Sequence, residues 1–334
     1  MHYPDLTTFR NLAKDHQLIP VYRRLVSDTL TPVTAFHKLD TGGSAYLFES
    51  VIGGERVGRY SFLGADPFLE IAARGTEVTI SEGGRTHQFT AADPLQILRQ
   101  RLSEPKAAVL PGMPPFGGGA VGYAGYDVVR YCEHLPNAPQ DDRGLPDLAF
   151  GFYDRMIVFD NIDKTMYVVV TARVDGQADA DRAYREAQRR VDETVSELMA
   201  APVTLQGTDI NSGGEPTIAF RSNFRREDFE EAVRKCVRYI QAGDIFQVVI
   251  SQRLELDLPA DPFDVYRTLR VVNPSPFMFF LRTPEVTLVG SSPEIMCRVA
   301  EGVITNRPLA GTRRRGRHRW PTRSPRGRWP YRRR

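Results

Sequence analysis

The stretch Ala242-Gly-Asp-Ile-Phe-Gln-Val-Val-Ile-Ser-Gln-Arg253 carries polar groups at strand spacing. If it is extended, Ile245, Gln247, Val249, Ser251 and Arg253 share one face, and Phe246, Val248, Ile250, Gln252 and Leu254 share the other. An amide, a hydroxyl and a guanidinium on one face in mid-strand need water, partners or a polar cavity. The pattern alone fits a solvated sheet face as well as a ligand pocket. More familiar constellations fail. Gly117, Gly119 and Gly122 satisfy G-x-G-x-x-G, but Pro-Gly-Met-Pro-Pro-Phe precedes them where a dinucleotide fold needs a strand. Those glycines are expected to serve packing at a turn or strand crossing. No glycine run leads into Gly-Lys-Ser/Thr, no Gly-x-Ser-x-Gly elbow occurs, and the six histidines show no zinc-binding spacing.

Composition bounds the elements that must position such groups. The chain has 334 residues, 41% hydrophobic and 25% charged, an ordinary globular balance. Its net charge of +3 is misleading, because eleven of the 44 Lys and Arg fall in residues 313–334, where there is no Asp or Glu. The preceding body is acidic and only the tail would favour nucleic acid, which is not expected as a partner. Cys132, Cys236 and Cys297 are odd in number and far apart, which predicts packed, inert thiols in a reducing compartment. No apolar run is long enough for a membrane span and the N-terminus lacks a signal-peptide core, so a cytoplasmic location is expected, with no membrane partner.

Three helix starts are marked by a capping residue before proline: Thr31-Pro32, Asp93-Pro94 and Asp261-Pro262. Longer helices are predicted over 179–199, with Tyr184, Ala187, Val191, Val195 and Leu198 on one face, and over 225–242, with Phe229, Val233, Cys236, Val237 and Ile240 on one face and Gly243 as the stop. Strands are predicted in most of the remainder, following one another directly. That favours an α+β fold with large antiparallel or mixed sheets over a doubly wound parallel sheet. Residues 201–221, rich in Pro, Gly, Ser and Thr, read as a linker.

Several motifs, in order, carry a resemblance: "YLFES" (46–50), "GRYSFLG" (58–64), "GGGAVGYAGYD" (117–127), "LPDLAFGFYD" (145–154), "QAGDIFQVVISQR" (241–253), "NPSPFMFFL" (273–281), "GSSPE" (290–294) and "RPLAGTRRRG" (307–316). Together they resemble the chorismate-utilising enzymes, and within them the component I branch of anthranilate synthases. The resemblance implies an α/β sandwich, chorismate as substrate, Mg²⁺ bridging substrate and protein carboxylates, a glutamine amidotransferase subunit as ammonia source, and feedback inhibition by tryptophan. Relatives that add water carry a lysine base where Gln247 stands. An amide cannot take a proton from water, whereas ammonia is already a nucleophile, so Gln247 points to amination. Relatives that make aminodeoxychorismate carry lysine where Ala310 stands. That activity is the alternative; a non-catalytic tryptophan-binding remnant is another.

By the same resemblance, Gly311 and Thr312 match positions that touch the substrate, where a backbone N–H and a hydroxyl suit an anion. Glu49, Ser50, Pro276, Phe277 and Met278 match tryptophan-contacting positions. The family more often has tyrosine in place of Phe277. The resemblance divides the chain into residues 1–200 with the tryptophan-site motif, the linker at 201–221, the start of a chorismate-binding domain with an incomplete second sheet at 222–312, and an aberrant, disordered Arg-rich tail at 313–334. The abrupt change after Gly316 reads as an out-of-frame translation of GC-rich coding sequence. The family's Mg²⁺-binding glutamates and catalytic histidine have no counterpart here, and the chain itself is expected to be poorly soluble and inactive.

Overall fold

A computed structural model describes residues 1–50, 59–200, 202–207, 209–210, 213, 218–300 and 302–306. Ala310, Gly311, Thr312 and the arginine-rich tail lie outside the described residues. In chain order the elements are α1 (Leu6–Leu12), β1 (Leu18–Val26), α2 (Pro32–Leu39), β2 (Ala45–Glu49), β3 (Tyr60–Ala65), β4 (Leu69–Arg74), β5 (Glu77–Glu82), β6 (Arg85–Thr90), α3 (Pro94–Ser103), β7 (Gly119–Ala124), β8 (Leu148–Tyr153), β9 (Arg155–Asp160), β10 (Thr165–Arg173), α4 (Ala180–Ala200), β11 (Arg221–Ser222), α5 (Arg226–Ala242), β12 (Leu254–Glu255), α6 (Pro262–Val272), β13 (Phe277–Arg282), β14 (Thr287–Ser292), β15 (Arg298–Ala300) and β16 (Val303–Thr305).

The three Pro-marked helices form as their caps require. Asp93 accepts from the Leu95 N–H at 3.0 Å and Asp261 from the Phe263 N–H at 2.7 Å. Thr31 and Thr34 exchange hydrogen bonds in a capping box. Gly243 closes α5 in the left-handed region, at φ +86°, which a Cβ would disfavour.

The chain falls into two compact units, Met1–Ser291 and Ser292–Arg334. In the first, a seven-stranded sheet runs β1-β10-β9-β3-β2-β13-β14 and a five-stranded sheet runs β6-β5-β4-β8-β7. The ladders described in both sheets are antiparallel, so the chain is α+β. β10 explains its own composition. Met166, Val168 and Val170 pack with α2, α4 and α6, while Tyr167 and Val169 pack on the opposite face. Both faces are buried, so Val168-Val169-Val170 can be continuously apolar. Tyr46 and Leu281 of the larger sheet meet Val121 and Tyr153 of the smaller one, joining the two into a sandwich.

One sequence run builds the corner between the sheets. β8 ends at Tyr153 and β9 begins at Arg155, so the chain changes sheets at Asp154. Arg190 of α4 grips that aspartate through two bonds of 2.8 and 2.9 Å. The glycine run at 117–122 serves packing: a Cβ on Gly122 would lie 2.0 Å from the Ala149 carbonyl oxygen. After β7 the chain enters a 3₁₀ turn, Tyr126–Tyr131, in place of the helix a dinucleotide site needs.

Some expectations fail. Residues 244–253 form no strand, and the predicted strand shrinks to Leu254–Glu255, paired with Arg221–Ser222. The alternation is present, but no ladder among the described residues takes up residues 244–253, and a lone strand leaves its backbone groups to water. α5 buries none of its residues, and Val233, Val237 and Ile240 are exposed. The cysteines are not packed as expected: Cys132 and Cys297 are exposed, and Cys236 is half-buried on the open face of α5. Within the second unit, β15 and β16 form a hairpin with Gly302 at φ +74°. No helix among the described residues is long and apolar enough to cross a membrane.

Candidate functional site

β2 and β13 are neighbours in the larger sheet although some 230 residues of chain separate them. Their register sets Met278 opposite Glu49, Phe280 opposite Leu47 and Arg282 opposite Ala45. Opposed residues share a face, so Glu49 and Met278 both point toward the helical layer. Met278 is buried in the core there, with Phe36, Phe263 and Phe280. Within β13 the alternation puts Phe277 on the other face, and Ser50 follows directly after the last residue of β2. Phe277 is 37% exposed and Pro276 is half-buried. The residues at 49–50 and 276–278 therefore meet at one end of this strand pair, with Glu49 and Met278 on one face and Phe277 on the other.

Glu49 is a carboxylate in an apolar layer, with 6% of its surface exposed. α6 supplies its partners from one helical turn. Tyr266 donates its hydroxyl hydrogen to Oε2 at 2.7 Å, and Arg270 donates from Nη2 to Oε1 at 3.1 Å. Burial pushes the Glu49 carboxyl above its ordinary range, opposed by the Arg270 charge and by the hydrogen bonds from Tyr266 and Arg270. Burial and the Glu49 charge push the Tyr266 phenol up in turn, so it stays a donor. Beside them, Ser50 Oγ is buried with no hydrogen-bond partner among the described residues. An orphaned buried hydroxyl is uncommon and fits a place where a ligand's polar group completes the bonding.

The sequence alone marks neither Tyr266 nor Arg270 as a site residue. Tyr266 reads as part of the apolar face of α6, and its hydroxyl is what gives it a second role. The available signal is the i,i+4 spacing of a phenol and a guanidinium on one helix, with a glutamate in an otherwise apolar strand.

Gln247 is exposed and lies outside any strand. Further along the same segment, Arg253 pairs with Asp142 at 3.0 and 2.5 Å, and Ser222 donates to Gln252 at 3.2 Å. Gly311 and Thr312 lie outside the described residues. A cleft of about 50 Å³ between the two sheets, lined by Ser44, Glu70, Tyr153, Arg282 and Glu285 among others, has room for water but not for a ring compound. Mg²⁺ is implied by the resemblance, yet no group of three or more His, Cys, Asp or Glu among the described residues could hold a metal ion. The described residues do not fit the ion.

Residues 44–322 match the family of chorismate binding enzymes, and the chain belongs to that family. Within it, the chain is 39% identical over 319 residues to anthranilate synthase component 1 of Acetivibrio thermocellus, covering 95% of this chain and 64% of that protein. It is 40% identical over 314 residues to the Pseudomonas aeruginosa component 1, covering 92% of this chain and 63% of the relative. The crystal structure of anthranilate synthase component I from Streptococcus pneumoniae TIGR4 superposes with a TM-score of 0.60 at 29% identity, covering 85% of this chain and 60% of that one. The chain thus spans somewhat under two thirds of the length of these relatives. The family match runs to residue 322, past Gly316, where the motif-level resemblance stops.

Proposed function

We propose that this chain carries the effector-binding part, and a portion of the substrate-binding part, of an anthranilate synthase component I. In that reaction ammonia attacks the ring of chorismate and the ring hydroxyl leaves as water. Loss of the enolpyruvyl group as pyruvate then gives anthranilate. Ammonia comes from glutamine through a partner amidotransferase subunit. The nucleophile needs no base to deprotonate it first, which suits an amide at Gln247. In the assembled site Gln247 shapes a neutral, polar wall, while the Gly311 N–H and the Thr312 hydroxyl donate to a substrate carboxylate.

Tryptophan is the proposed feedback effector, held at the end of β2. Ser50 Oγ and Glu49 meet its polar end, and Pro276 and Phe277 wall its indole, with Met278 supporting that strand end from the core. The observation that carries this reading is the β2–β13 register, which gathers residues 49–50 and 276–278 beside an unpartnered buried hydroxyl. The chain as it stands is proposed to turn over no chorismate. In support, α5 and residues 246–249 expose apolar side chains that an assembled substrate site would cover. A chimera of residues 1–312 with the remainder of the Pseudomonas aeruginosa relative tests the chemistry. With chorismate, ammonium and Mg²⁺ it should release fluorescent anthranilate, and the chain alone should not. Release of isochorismate in place of anthranilate would contradict the amination reading.

A further inference from the structure

Glu49 comes to the effector site with its charge already matched. Besides the Tyr266 hydroxyl on Oε2, Arg270 sets Nε 2.7 Å from that same oxygen and Nη2 3.1 Å from Oε1. The Nε contact is close but misdirected, because the Arg270 Nε hydrogen has no acceptor in line. Arg270 is therefore held on Glu49 by charge more than by a well-formed fork. Among the described residues, the groups set opposite Glu49 in the sheet are uncharged: Ser61 on β3 and Met278 on β13. The Arg270 side chain is 29% exposed, so it reaches the buried carboxylate from the solvent side.

One carboxylate in a water-poor site cannot serve two cations at full strength, since each reduces the attraction available to the other. We infer that Arg270 is a built-in stand-in for the effector's ammonium group: an aromatic amino acid entering beside Ser50 takes Arg270's place on Glu49, and the guanidinium swings out to water. The exchange rests on the effector-site reading above and adds a residue that sets the effector's affinity. It also gives the site an output. Arg270 lies three residues before Asn273, whose carbonyl accepts the Ser291 hydroxyl at 2.6 Å, so release of Arg270 loosens the end of α6 that is tied to β14.

Calorimetric titration of the full chain and its Arg270→Gln variant tests this, using L-tryptophan and indole-3-propionate, which lacks the amine. The expected result is about tenfold tighter binding of L-tryptophan by the variant near pH 8, with indole-3-propionate unaffected. The gain should shrink as pH falls, because Glu49 without Arg270 takes up a proton more readily and no longer attracts an ammonium. Equal or weaker tryptophan binding by the variant at every pH, or parallel shifts for both ligands, would overturn the exchange. If Arg270→Gln does not fold, Arg270→Met keeps the aliphatic stem without the charge and should likewise bind L-tryptophan more tightly; equal or weaker binding overturns the exchange. Failure of the unsubstituted chain to bind L-tryptophan at all would remove the effector site itself, and the exchange with it.

Discussion

Tyr266 of α6 donates its phenolic hydrogen to Glu49 at the end of β2 across 2.7 Å, although 217 residues separate the two in sequence. This bond ties the first strands of the larger sheet to the helix that leads into β13. Tyr266 is fully buried and Glu49 nearly so, which makes the bond hard to replace by water.

Replacing Tyr266 with phenylalanine keeps the ring and removes the donor. A buried, charged acceptor then loses one of its partners, at a cost of about 2 kcal/mol. Urea denaturation should show a lower midpoint with an unchanged slope. An unchanged midpoint would mean that Glu49 draws its support from Arg270 alone.

Asp160 at the end of β9 is 1% exposed. Burial acts to raise its carboxyl pKa, but two bonds from Arg59 and the N–H groups of Ile162 and Asp163 more than offset this and hold it below the usual carboxylate range. A carboxyl with a depressed folded pKa contributes stability above its unfolded pKa and loses it as pH falls through the folded value. Asp160→Asn should therefore lower stability by about 2 kcal/mol near neutrality, and by progressively less below about pH 4. Melting temperatures of the two proteins as a function of pH should converge in acid; a constant gap would assign the loss to packing.

Gly122→Ala should destabilise the smaller sheet by about 3 kcal/mol or prevent folding. The new methyl group would meet the Ala149 carbonyl oxygen at 2.0 Å and the Phe150 Cα at 2.6 Å, so backbone would have to move. Far- and near-ultraviolet circular dichroism during urea denaturation would register the loss, and wild-type stability would contradict the close approach of β7 and β8.

The open face of α5 makes a different demand. Val237 is 45% exposed in an apolar row with Val233 and Ile240. Val237→Lys should reduce aggregation and binding of a hydrophobic dye while leaving the melting temperature unchanged within about 1 °C. A large fall in melting temperature would show that this face is covered after all.

What the sequence makes legible depends on how locally each signal acts. Thr31, Asp93 and Asp261 announce their helices because a cap and its proline act within one turn. The buried face of α4 is readable at Tyr184, Ala187, Val191, Val195 and Leu198 because helical period and burial coincide there. β1 is harder to see, since Pro20 and two arginines interrupt its apolar run. The structure tolerates the proline because β1 is an edge strand, where a missing donor breaks no second ladder. The alternation over 245–253 implies a strand, but a strand is a property of a pair, and that pairing is not in the sequence of one segment. The partners of Glu49 lie on α6, so the residues at 49–50 can be picked out from their motif while the engagement of Glu49 by Tyr266 and Arg270 cannot.

The end of β2 is proposed as an amino-acid effector site completed by the Ser50 hydroxyl. Thermal denaturation with and without L-tryptophan, for the unsubstituted chain and for Ser50→Ala, tests it most directly. Among the described residues Ser50 Oγ has no partner, so its removal should leave the ligand-free melting temperature unchanged or slightly higher. Tryptophan should raise the melting temperature of the unsubstituted chain in a concentration-dependent way, and much less that of the variant. No rise in the unsubstituted chain, or an equal rise in both, would contradict the site.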